Sequence, residues 1–123
     1  MQGQAPANVS AIGIGAAATA KLVPTASFSP AAIPGKPAAA ASHGGLFAFT
    51  VATSGRYQVA LGAAAWLDVI RDGAVLASLG HGHGPACTGI RKIVQFDLKP
   101  GRCLLQIAGS PVASVPVLVA SAG

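Results

Sequence analysis

The stretch FTVATSGRYQVAL (residues 49–61) decides the fold. Its second half alternates: Tyr57, Val59 and Leu61 share one side of an extended chain, and Arg56, Gln58 and Ala60 the other. Thr53-Ser54-Gly55 supplies the turn chemistry that separates it from the apolar run before it. The same grammar returns in FDLKPGRCLLQI (residues 96–107): a Phe, a branched apolar residue, a turn, Gly-Arg, then an alternating strand. Cys103 stands where Tyr57 stands in the first copy, in line with Leu105 and Ile107, so its side chain is expected to face inward. Two such hairpins present two similar apolar faces to one core, which is what a two-sheet sandwich requires.

The neighbouring stretches follow the same rule. AWLDVI (65–70) runs into Arg71-Asp72-Gly73-Ala74, where Asp-Gly signals a tight hairpin to AVLASL (74–79). IRKIVQFDL (90–98) turns at Lys99-Pro100-Gly101, and Ser110-Pro111 leads to a last strand, ASVPVLVAS (113–121). No run places apolar residues at helical spacing. The pattern predicts an all-β, antiparallel, jelly-roll-like sandwich of about eight short strands. Residues 1–17 read as a flexible, irregular N-terminal arm with scope for one edge strand, and 18–123 as a single domain. Pro24, Pro30, Pro34 and Pro37 favour extended or edge segments over 18–33, and AAAASHGG (38–45) reads as a linker.

Of the 123 residues 52% are hydrophobic, many of them alanine, and only 9% are charged. There is one Trp, no Glu, and a formal net charge of +5. The basic residues are scattered rather than clustered among aromatics, which excludes a nucleic-acid surface. Three carboxylates in turns and strands exclude a paired-carboxylate hydrolase. No segment has the roughly 18 uninterrupted apolar residues of a transmembrane helix. MQGQAPA at the start resembles the mature end left by signal cleavage, so a periplasmic or extracellular location is expected.

One loop departs from the pattern: LGHGHGPACTG (79–89). His81 and His83 in a His-x-His pair, with Cys87 and the more distant His43, form a candidate site for copper or zinc, since imidazole and thiolate suit both ions. Two other readings stand beside it. Cys87 and Cys103 can close a disulfide loop of about 15 residues, stabilising by about 3 kcal/mol in the chain-entropy model. Alternatively the histidines are polar loop residues bonded to carbonyls or water. A Cys-His nucleophile lacks an orienting third group. Trp66 reads as a core anchor, or as a small-molecule or glycan platform if it is exposed beside the histidine loop. Arg91, directly after that loop, is suited to hold an anion or to bond loop carbonyls. The expected role is a non-catalytic binding or structural module. Oligomerisation through sheet edges, up to a self-assembling extracellular structural protein, is the alternative that low charge and exposed edges imply.

Residues 45–110, and HGHGPACTGIRK (81–92) most specifically, resemble small secreted bacterial proteins often labelled homogentisate 1,2-dioxygenase. That resemblance implies an iron enzyme whose metal is held by two His and a Glu. The chain departs from these proteins at Cys103, where an aromatic is usual. The Gly-x-Tyr entry at Gly55–Tyr57 resembles, more weakly, the pre-peptidase C-terminal sandwich domains.

Overall fold

A computed structural model describes residues 9–25, 42–63, 65–82 and 90–122. The described chain forms strands β1 (Val9–Ala11), β2 (Ala18–Lys21), β3 (Val23–Pro24), β4 (His43–Val51), β5 (Gly55–Leu61) and β6 (Trp66–Arg71). Then follow β7 (Ala74–Val75), β8 (Gly80–Gly82), β9 (Lys92–Leu98), β10 (Gly101–Ser110) and β11 (Ser114–Ser121). One sheet has the order β1-β4-β10-β6-β7, with β3 also on β4; the other runs β2-β11-β5-β9-β8. Among these pairs only β1–β4 is parallel. The all-β antiparallel sandwich expected from the alternation is therefore the fold. Among the described residues it has eleven strands rather than eight: β1, β3 and β8 are two or three residues long, too short to show alternation, and the strand expected over 74–79 is only the two-residue β7.

The two similar stretches are arches, not the hairpins expected. β4 lies in one sheet and β5 in the other; β9 and β10 repeat the crossing in reverse. Strand alternation is the same for a hairpin and an arch, so the pattern alone does not separate them. The copies interlock: Phe49 pairs with Cys103 and Phe96 with Tyr57, Val51 with Gly101 and Leu98 with Gly55. The correspondence continues into the next strands, where Leu105 pairs with Val69 as Val59 pairs with Val119, and Ile107 with Leu67 as Leu61 with Val117. A pseudo-twofold axis thus relates β4–β6 to β9–β11. The inward residues of both halves, among them Phe49, Val59, Val69, Phe96, Leu105 and Val119, form one buried core.

The arches are closed by different chemistry. In the first, the Tyr57 hydroxyl donates to Thr53 O at 2.7 Å. In the second, Cys103 is too short for that bond, and the Arg71 guanidinium donates instead to Lys99 O and Pro100 O. Arg71 is delivered by the β6–β7 hairpin, whose Asp72 and Gly73 have φ of 52° and 80°, the two left-handed residues that the Asp-Gly signal implies.

Cys103 points into the core, as expected, and is a free thiol. The disulfide to Cys87 weighed from the sequence is therefore not formed. Cys87 itself lies outside the described residues. Burial raises the Cys103 thiol above its ordinary value, opposed by the nearby Arg71 charge and reinforced by Asp72. A raised acid pKa contributes stability below the unfolded thiol value of about 8.5 that is lost as pH rises past it. In a Cys87→Ser variant, Cys103 is expected to resist thiol reagents until the protein unfolds, with stability declining above that pH. Fast native-state labelling would contradict the burial.

From Val9 onward, the segment expected to be a flexible arm is part of the sandwich. After β1, Ile12 N donates to Ala48 O at 2.9 Å; the chain then crosses to the other sheet, where Gly15 N donates to Val119 O at 2.7 Å before β2 begins. Ile12, Ile14 and Ala18 pack against the core and close the flank between β4 and β11.

Candidate functional site

The pseudo-twofold axis carries the flank between β4 and β11 onto the flank between β9 and β6. There residues 76–79 do what residues 12–15 do on the first: Leu76 N donates to Val69 O at 2.9 Å and Leu79 N to Gln95 O at 2.7 Å. Val69 and Gln95 are the counterparts of Val119 and Ala48. The closure is weaker in apolar content. Ile12 and Ile14 both reach the core, whereas Leu76 alone does so here and Leu79 is 48% exposed. Nor, among the described residues, does any strand pair with β6 where β2 pairs with β11.

The deficit leaves a groove of about 240 Å³. Leu67, Val94 and Phe96 form its floor, Leu76 and Ser78 one wall, and Trp66, Asp68 and Lys92 its mouth. Lys92 has the inward parity of Val94, Phe96 and Leu98, so its stem runs across the gap between the sheets. Its ammonium sits 4.7 Å from the Trp66 ring centroid and donates to Ala65 O at 2.9 Å. The Trp66 indole N–H donates to Asp68 Oδ2 at 3.0 Å, which fixes the ring against the strand. Trp66 is therefore not the core anchor that its strand pattern favoured: it is half-buried at the rim, on the side of β6 opposite the core. An indole face, a cation, a carboxylate and an apolar floor make a recognition surface.

Of the residues singled out in the sequence, Trp66 lies at this groove, whereas neither described candidate metal ligand, His43 or His81, lines it. His43 opens β4, paired with Pro24 and Ser110, and its Nδ1 is buried without a hydrogen-bond partner. The His81 backbone lies in β8, opposite Val94, at the edge of the other sheet. His83 and Cys87 fall outside the described residues. Three strand spacings, about 14 Å, separate β4 from the flank that β8 occupies. His43 and β8 are thus not brought together. Asp68 is tied to Trp66. Lys92 and Ser78 were not expected. The legible signal was a lysine at an inward-facing strand position.

Among solved structures, the chain is similar to the pre-peptidase C-terminal domain of collagenase from Bacillus anthracis. The TM-score is 0.56 at 13% identity, over 94% of this chain and 98% of that one. This is a likeness of fold: both are β-sandwich domains, and the weaker of the two sequence resemblances finds its counterpart here. No family model matches the chain. No curated protein matches it either, so the dioxygenase resemblance gains no support from these comparisons. The iron site it implies needs a Glu, and the chain has none. Among the described residues no three His, Cys, Asp or Glu side chains come together. These residues do not fit such a centre. No helix among the described residues is long and apolar enough to cross a membrane.

Proposed function

We propose that this chain is a non-catalytic binding module of an exported protein, and that its ligand site is the groove between β6 and β9. The groove with Trp66 and Lys92 at its mouth carries the reading: it pairs a desolvated apolar floor with a fixed cation and an indole, the ingredients of a small specific site. The neighbour is by name one domain of a collagenase, which supports reading this fold as a module. Ligand-observed NMR with a fragment set is the test. Fragments joining an apolar ring to a carboxylate are expected to bind, and to lose binding in Trp66→Ala. A set with no binder, or with binders indifferent to that substitution, removes the reading.

Copper or zinc held by His81 and His83 is a second reading. It is favoured by the chemistry of the residue pair and by the place of the His81 backbone in β8, at a sheet edge. Such binding weakens as the imidazoles protonate below their usual value of about 6.5. Titration calorimetry with Cu(II) and Zn(II) is expected to give heats that vanish in the His81→Ala/His83→Ala double variant. Equal heats from both proteins, or none from either, eliminate it.

A further inference from the structure

We propose that the outer edge of the chain at Ala65 and at Leu67 of β6, along which no described strand lies, docks an extended peptide, added as an antiparallel strand in the position that β2 holds on the opposite flank. This rests on the groove as the binding site and names the chemistry of its partner. On the first flank, β2 pairs along β11 with Ala18 opposite Val117 and Ala20 opposite Val115, and Leu22 N continues the ladder to Ala113 O. Ala18, Ala20 and Leu22 fill the gap between the sheets. The pseudo-twofold axis maps Val117 and Val115 onto Leu67 and Ala65, where no described strand lies and the groove is found.

The backbone on this edge is oriented to receive a strand. Alternate residues of a strand direct their N–H and C=O to the same side. Val69 O accepts from Leu76, so the groups of Leu67 and Ala65 face the same open flank. The Ala65 groups are engaged there, its carbonyl by the Lys92 ammonium and its N–H by Ala63 O at 3.1 Å, so an incoming strand bonds Leu67 directly and displaces these two contacts at Ala65. Exposed edges of this kind are the usual template for strand addition.

The symmetric comparison also sets the sequence the partner must have. Small apolar residues belong at the two positions equivalent to Ala18 and Ala20, facing the floor of Leu67, Val94 and Phe96. The third position differs. Gly45, the counterpart of Lys92, leaves space for Leu22, whose Cδ2 lies only 3.0 Å from where a Gly45 Cβ would be. Lys92 fills that space and places a positive charge in it. The residue equivalent to Leu22 is therefore acidic, its carboxylate on the Lys92 ammonium.

The sole tryptophan reports on the groove directly. The probe is a synthetic peptide of residues 17–23 carrying Leu22→Glu, which holds no aromatic of its own. Titration is expected to change Trp66 fluorescence saturably. Affinity is expected to fall by about fivefold for the peptide with Leu retained and for the Lys92→Ala protein, whose folding is checked by its melting curve. N-methylation of the peptide amide at the Ala18 position, which spares every side chain, is expected to abolish binding. A flat titration, or equal binding after N-methylation, overturns strand addition. If carboxylate fragments bind while the peptide does not, the groove stands and the peptide partner falls. If neither binds, both fall.

Discussion

Replacing Phe96 with alanine is expected to cost about 3–5 kcal/mol, the range for emptying a fully buried aromatic site. Phe96 is 2% exposed in the middle of the core, in a domain whose other apolar side chains are mostly Val, Leu and Ala. Few neighbours are large enough to collapse into the space. Against the 5–15 kcal/mol typical of a whole domain, about a third or more of the stability would go. The pseudo-twofold axis adds a sharper expectation. Phe49 pairs with Cys103 as Phe96 pairs with Tyr57, so Phe49→Ala is expected to fall within about 1 kcal/mol of Phe96→Ala. Urea titration of both variants gives the comparison. A gap above about 2 kcal/mol would mean that the axis relates backbones but not packing.

The second large effect concerns Gly101. Its φ is 135°, a conformation that residues with a side chain rarely adopt, and an added Cβ would meet the Arg71 Nη2 atom that bonds the arch. Gly101→Ala therefore combines backbone strain with displacement of the Arg71 bonds to Lys99 O and Pro100 O. Together these are expected to cost about 2–4 kcal/mol. Two controls separate the causes. Gly55, its pseudo-equivalent, has no atom within 4 Å of an added Cβ and no positive φ, so Gly55→Ala is expected to stay within about 0.5 kcal/mol. In an Arg71→Ala background, Gly101→Ala should cost only the strain, because the guanidinium is gone. An undiminished cost there would show that the Arg71 contact is incidental.

These two positions also mark how far the sequence could be read. Phe49 and Phe96 were visible as the heads of a repeated pattern, and the inward side of Tyr57 and Cys103 followed from alternation. Asp72-Gly73 announced its turn because left-handed residues have few chemical identities. Sheet membership was not visible: Thr53-Ser54-Gly55 and Lys99-Pro100-Gly101 join strands by arches, and the same letters serve a hairpin. Nor was the closure by Ile12 and Ile14, since two apolar residues among glycines and alanines carry little period. The groove escaped notice for a related reason. It exists because residues 76–79 bring one apolar side chain where residues 12–15 bring two, a difference that means nothing until the flanks are superposed. The histidines drew attention by residue type, while Lys92 was hidden by its plain place beside Arg91.

The interlocking of the two arches bears on how the chain reaches this state. β4 finds its central partner in β10, about half the chain away, and β5 in β9, about a third, so neither half can complete a sheet alone. A chain emerging amino-terminus first stays unassembled until its last strands are free, and loop closure across such separations slows the search. For a protein read as exported, that delay favours transport: threading through a translocation channel calls for an unfolded chain, and this topology postpones folding until the carboxyl-terminal half has been released.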